Sequence, residues 1–230
     1  MSKIVLFGVS LSPFVEKVRL ALILKKVDHE MVGPKGPGDF KRWNPQTGKM
    51  PVLEIDGERI IDSTLICDRL ETLYPEPPLL SKSPAPRASQ RLLEDWCDES
   101  LYWYLMALRW TKKNTPATAR QITAGLPALL RPIARRSLTR SISATVRGQG
   151  LGRLPDEVIV REFGERLDDL CTLLGERPFF FANELSRADL GLYGMLSSGM
   201  SGPTPEINQL VGERPALVQH IERVREATHI

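Results

Sequence analysis

Three short segments carry the residue types best suited to chemistry. The first is Ser10-Leu11-Ser12-Pro13-Phe14-Val15, where a hydroxyl stands directly before a proline that suits the first position of a helix. The second is Gly48-Lys49-Met50-Pro51, which opens an apolar run. The third is Ile61-Asp62-Ser63-Thr64, an acid-serine pair of the kind that starts a helix. A serine hydroxyl at the positive end of a helix donates a hydrogen bond to an anion and stabilises it. The local alternative is that Ser12 only caps its helix, and the same alternative holds for Asp62 and Ser63. Ser10 is a second hydroxyl on the preceding loop and ranks below Ser12. No sulfur occurs among Ser12, Pro13, Phe14 and Val15, so a dithiol redox cycle cannot run there.

These segments need elements to hold them. Residues 3–9 form a short apolar run compatible with a buried strand. Val15, Val18, Leu20, Ala21, Leu22 and Leu24 give the next helix an apolar side. Residues 29–32 suggest a second strand, and residues 33–38, rich in Gly and Pro, a loop. Residues 51–55 and 59–61 read as a hairpin closed at Asp56-Gly57. Residues 64–72 read as a helix. Five prolines within residues 75–86 mark a boundary, with the linker placed at 81–86. Everything beyond reads as helical: 87–111, about 126–147, 155–174, and a helix after Ser186-Arg187-Ala188-Asp189, where Ser186 caps and Asp189 reaches back. Trp96, Trp103 and Trp110 recur every seven residues, which predicts one face and core packing.

Composition is ordinary for a globular chain of 230 residues, and a net charge of +3 argues nothing alone. Its distribution says more. Residues 112–155 hold nine Lys or Arg and no Asp or Glu. Such a run is either a solvated helix face or a surface that steers anions. The three cysteines, Cys67, Cys97 and Cys171, lie far apart without CxxC spacing, which suits a reducing, cytoplasmic compartment rather than a disulfide framework or zinc site. His29, His220 and His229 are scattered, so neither a metal site nor a Ser-His-Asp arrangement is expected. The N-terminus reads as a strand rather than a signal peptide, no run is long enough for a membrane span, and no motif supports nucleic-acid recognition.

The order of strand, Ser-Pro helix start, Met-Pro strand start and Asp-Ser helix start is the layout of a thioredoxin-like domain that holds a small anionic thiol. Glutaredoxins put Cys-Pro-x-Cys at the first helix start; here a hydroxyl takes the place of the attacking thiol. The chain resembles the cytosolic glutathione transferases over essentially its whole length. SPFVEKVRLAL is similar to the Ser-Pro-Phe start of the plant tau class and the Cys-Pro-Phe start of the omega class. NPQTGKMPVLEIDG resembles the family's Asn-Pro…Lys-x-Pro-Val-Leu segment, IIDSTLICDRLE its Glu/Asp-Ser turn, and FFFANELSRADLGLYGML its Ser/Thr-x-Ala-Asp capping box. LYWYLMALRW and RGQGLGRLPDEVI resemble bacterial proteins of the metaxin and axon-connection branch instead.

The resemblance implies an α/β thioredoxin-like domain over residues 1–80 and an all-helical domain over 87–230. It implies that glutathione is the co-substrate, with no metal, that the protein is a homodimer, and that Ser12 stabilises the glutathione thiolate. A free thiol with pKa near 8.5 is mostly protonated at neutral pH, and lowering that value by about two units takes about 2.7 kcal/mol. A charge-assisted hydrogen bond plus a helix terminus supplies that order of energy. Met50-Pro51 would carry a cis peptide and offer the Met50 main chain to the cysteinyl residue. Ser63 would hold the γ-glutamyl carboxylate, Asp62 the ammonium and Lys49 the glycyl carboxylate. Leu11, Phe14 and Tyr104 would face a hydrophobic electrophile in the cleft between the domains. A glutathione-dependent peroxidase or isomerase remains open within the same chemistry. A non-catalytic scaffold reusing the fold is the rival of another kind, suggested by the C-terminal half and its basic segment.

Overall fold

The computed structural model describes residues 3–230. Its N-terminal part holds a four-stranded mixed sheet of order β2-β1-β3-β4, with β1 Ile4–Phe7, β2 Glu30–Val32, β3 Val52–Ile55 and β4 Glu58–Ile61. β1 runs parallel to β2 and antiparallel to β3, and β3 is antiparallel to β4. A parallel pair requires a crossover, which α1 (Pro13–Leu24) supplies. The β3–β4 pair needs only a two-residue turn. Asp56 and Gly57 there have φ of 51° and 90°, the left-handed pair that closes a tight hairpin. Val5, Phe7, Trp43 and Val52 form a core under the sheet, with the Phe7 and Trp43 rings 4.8 Å apart.

α2 (Pro37–Trp43) starts inside the stretch read as a loop, with Pro37 at its first position, where a missing N–H costs nothing. α3 spans Ser63–Leu73. From Pro84 onward the named elements are all helical: α4 Pro84–Trp96, α5 Tyr102–Arg109, α6 Thr115–Ile122, α7 Arg131–Gln149, α8 Asp156–Leu174, α9 Arg187–Ser201, α10 Pro205–Gly212 and α11 Pro215–Thr228. This is a thioredoxin-like α/β domain followed by helices, the expected fold class.

The tryptophan repeat is corrected. A π-helical stretch, Cys97–Leu101, joins α4 to α5. It shifts the helical phase between Trp96 and Trp103, so a seven-residue spacing no longer means one face. Trp110 is buried, whereas Trp96 and Trp103 are only half-buried. The Pro-rich stretch is pinned rather than loose: Leu79 is buried and its carbonyl accepts from the Arg187 N–H at 2.8 Å.

By internal contacts the chain forms two compact units. The first gathers Met1–Asp98, Leu174–Ser198 and Gln219–Ile230, so it holds the sheet, α1 to α4, most of α9 and the end of α11. The second gathers Glu99–Leu173 and Gly199–Val218. Among the described residues no helix is long and apolar enough to cross a membrane.

Candidate functional site

Strand register brings the three chemistry-bearing segments to one end of the sheet. Phe7 pairs with Val52, and Val52 pairs with Ile61. The loop leaving β1, the residues entering β3 and those leaving β4 therefore emerge side by side. These are the segments of Ser12, of Lys49-Met50-Pro51 and of Asp62-Ser63.

Ser12 is the N-cap of α1, with extended backbone at φ −79° and ψ 122°. Its Oγ accepts from the Val15 N–H at 3.5 Å, the outer limit for such a bond. Among the described residues the Ser12 O–H donates to nothing, so its proton is uncommitted. Leu11 is exposed, and its carbonyl accepts from Ser198 Oγ on α9 at 2.8 Å. Phe14 is half-buried. α9 also presses on the start of α1 through Gly194, where an added Cβ would lie 2.6 Å from the Pro13 carbonyl oxygen. Only glycine permits that approach, so Gly194 and Ser198 position the Ser12 segment. Sequence reading missed both, because their partners lie more than 180 residues away, as with Ser198 and Leu11.

The Met50–Pro51 peptide is cis, as expected. Among the described residues the Met50 N–H and C=O have no main-chain partner. The loop before it is shaped by the buried Asn44. Its Nδ2 donates to Thr47 Oγ1 at 2.7 Å and to the Lys49 carbonyl at 2.9 Å, while its Oδ1 accepts from the Thr47 N–H at 3.1 Å. An Asn with a Thr three residues on is a local turn signal that a closer reading would have found. Lys49 itself is exposed, and its ammonium meets no carboxylate among the described residues.

Asp62 caps α3. Its Oδ1 accepts from the N–H groups of Thr64 at 2.9 Å and Leu65 at 3.2 Å. Its φ of 74° is left-handed, a conformation that costs a side-chain-bearing residue about 1–3 kcal/mol. Ser63 follows as the first helical residue. It is buried, and neither its hydroxyl nor its N–H has a partner among the described residues. A hydroxyl left unpaired at a helix start suits an anionic group. Capping by Asp62 thus leaves the Ser63 hydroxyl and N–H open at the same helix start.

Behind these helix starts lies an ionic cluster that no sequence pattern announced. The Lys17 ammonium of α1 contacts Glu94 Oε1 and Asp98 Oδ2, each at 2.7 Å, and donates to Thr64 Oγ1 at 3.2 Å. Arg187 pairs with Asp68 and with the other oxygen of Glu94. The Lys17 and Glu94 side chains are 1% and 2% exposed. Burial alone would push the Lys17 pKa down, but Asp98 and Glu94 outweigh it and hold it above the usual lysine value. Burial raises the Asp98 carboxyl against the opposing pull of Lys17. It also pushes the Cys67 thiol up to about 12, so this sulfur stays protonated and inert.

One expectation changes at another position. His220, expected to stand alone, has its Nε2 2.9 Å from Asp189 Oδ1, and Ser186 Oγ donates to Asp189 Oδ2 at 2.7 Å. Ser, Asp and His do meet here. The serine bonds the carboxylate rather than the imidazole, and the Asp189 and His220 side chains are fully buried, so the trio is a structural hub. Asp189 also accepts from the Ser186 N–H at 2.9 Å, the reach-back that the capping pattern predicts. Tyr104 belongs to the second compact unit, where its ring lies 6.2 Å from that of Phe163. Among the described residues no group of three or more His, Cys, Asp or Glu is arranged to hold a metal ion.

Comparison with known proteins fits this geometry. The family model described as glutathione S-transferase, N-terminal domain, matches residues 6–78, and the one described as glutathione S-transferase, C-terminal domain, matches residues 164–224. The chain belongs to the glutathione S-transferase superfamily. Among its relatives is a probable maleylacetoacetate isomerase of Caenorhabditis elegans, 37% identical over 82 residues, which are 34% of this chain and 38% of that protein. The chain spans about two fifths or less of the length of the first curated relatives it matches. The isoprene-epoxide glutathione S-transferase of Rhodococcus sp. strain AD45 is 25% identical over 188 residues, covering 77% of each chain. A crystal structure of a glutathione S-transferase from Rhodospirillum rubrum F11 superposes with a TM-score of 0.64 at 26% identity, over 96% of this chain and 87% of that one.

Proposed function

We propose that this superfamily member binds glutathione at the sheet end described above and transfers its thiolate to a hydrophobic electrophile. The observation that carries the reading is a set of uncommitted polar groups at one sheet end: the Ser12 O–H, the Met50 main chain and the Ser63 hydroxyl and N–H. The Met50 N–H and C=O suit the cysteinyl residue, paired as an added strand. Ser63 at the start of α3 suits the γ-glutamyl carboxylate, the unoccupied Oδ2 of Asp62 its ammonium, and Lys49 the glycyl carboxylate. Ser12 then donates to the sulfur, which favours the thiolate and releases the thiol proton to solvent. The thiolate attacks an electrophilic carbon, a C–S bond forms, and the leaving group or ring oxygen departs with the electron pair. The chain contributes proximity and thiolate stabilisation; glutathione brings the nucleophile.

Leu11 and Phe14 flank Ser12 in sequence and are proposed, with Tyr104, as contacts of the electrophile. The domain limits 1–80 and 87–230, a homodimeric state and a cytoplasmic location belong to the same proposal.

An isomerase is the second reading, favoured by the 37% identity to the maleylacetoacetate isomerase relative. There the thiolate adds to a conjugated double bond, the resulting single bond rotates, and the thiolate leaves again. Assay of a model aryl halide, an organic hydroperoxide, a mixed disulfide and a cis-dienoic acid, each with wild type and Ser12→Ala, distinguishes these readings. Conjugation consumes glutathione and isomerisation does not. Strong reduction of the mixed disulfide would contradict the role of Ser12, and passage through a glutathione-affinity column without retention would favour a scaffold.

A further inference from the structure

The basic segment singled out by the sequence folds into a concave surface within the second unit. α6 and α7 border a shallow, open groove of about 830 Å³. Arg120 of α6 and Arg135, Arg136, Arg140 and Arg147 of α7 all line it. Arg135 Nε donates to Thr123 Oγ1 at 3.1 Å. The other four guanidinium groups have no ion-pair or hydrogen-bond partner among the described residues. Thr139 and Ser143 also line the groove, and no carboxylate does.

Five like charges around one hollow repel one another, and the chain supplies nothing to offset them. Lys17 and Arg187, by contrast, are each paired with carboxylates of this chain. Arg136, Arg140 and Arg147 stand at helical spacings of four and seven, so they share a face that runs about 16 Å along the axis at about 1.5 Å per residue. Guanidinium groups match phosphate oxygens in paired hydrogen bonds, and serine and threonine hydroxyls add donors. A single carboxylate leaves most of this charge unanswered. Several phosphates clustered on one small ligand answer it.

We infer that the α6–α7 groove is a binding site for a ligand bearing several clustered phosphates. The site is independent of glutathione, and its test does not involve the thiol chemistry. Two sources share this chemistry, a soluble oligophosphate and a phosphorylated lipid headgroup, and the experiment separates them. Isothermal titration with inorganic tripolyphosphate forms the soluble arm. Flotation with phosphatidylcholine vesicles, with and without phosphatidylinositol bisphosphate, forms the lipid arm. Arg136 and Arg140 are exposed, so the double variant Arg136→Glu, Arg140→Glu is expected to fold, which circular dichroism checks; Arg147→Gln serves as a milder second variant.

The expected result is saturable one-to-one binding in at least one arm. It weakens about tenfold or more in the double variant and falls steeply as salt approaches the screening range of a few hundred millimolar. Binding in the soluble arm assigns a free oligophosphate; binding only to bisphosphate vesicles assigns the lipid. No saturable binding in either arm overturns the inference. So does binding that neither variant weakens, or tighter binding of a single-stranded oligonucleotide at equal phosphate concentration.

Discussion

Ser63 and Thr64 are neighbours on the first turn of α3, and they meet opposite fates. Thr64 Oγ1 lies 3.2 Å from the Lys17 ammonium, 3.3 Å from Glu94 and 3.4 Å from Asp98. The Ser63 hydroxyl meets no partner at all among the described residues. α1 repeats the contrast, with the Ser12 O–H uncommitted and Lys17 five residues on locked between two carboxylates. One face of this helix pair is committed to internal ion pairs, with Asp98 Oδ1 left without a hydrogen bond, and the adjacent face is left open. The paired cluster holds geometry, whereas open donors at helix starts are available for a ligand.

The largest test of this contrast removes the cation of the paired side. Lys17→Met leaves Asp98 without its ammonium and Glu94 with Arg187 as its paired cation, and urea denaturation is expected to show a loss of about 3–5 kcal/mol. The Lys17 pKa lies above its ordinary 10.5, so its stabilising contribution is complete below that pH and is lost only as pH rises through the folded value. The gap between wild type and variant should therefore stay constant from about pH 7 to pH 10. A gap that closes in that window would break the assignment.

A second test moves the open side without touching its donors. Gly194→Ala drives a Cβ into the Pro13 carbonyl and displaces the start of α1. Displacements of this kind cost up to about 100-fold in turnover, and steady-state kinetics should show the loss mainly in kcat. Ser63→Ala, by contrast, removes a ground-state contact. The KM for glutathione should rise about tenfold, equivalent to about 1.4 kcal/mol, with kcat nearly unchanged and little change in melting temperature. An unchanged KM would remove Ser63 from the glutathione site. The smallest expected effect is on Cys67, whose thiol should not react with a disulfide reagent at about pH 8 unless the protein is unfolded.

The parts legible in the sequence were those written locally. Ser12-Pro13 announces a capped helix because cap and first position are adjacent, and Asp56-Gly57 announces a hairpin because both residues accept positive φ. The Asp189 reach-back followed for the same reason. The ionic cluster was not legible, since Lys17 and Asp98 lie 81 residues apart and Lys17 falls within an otherwise apolar helix side. The tryptophan repeat misled because a π-helical turn changes the phase without leaving a mark in composition. Gly194 and Ser198 matter only through what α9 meets, which is a tertiary fact.

The most direct test of the central claim is the pKa of bound glutathione. Glutathione is titrated calorimetrically into wild type and Ser12→Ala, and thiolate absorbance is then followed against pH in each complex. The account predicts binding to both, with the bound thiol shifted down by about two units in wild type and near its free value in the variant. Equal thiol pKa values in the two complexes would contradict the role of Ser12, and no binding to either at millimolar glutathione would contradict the site itself.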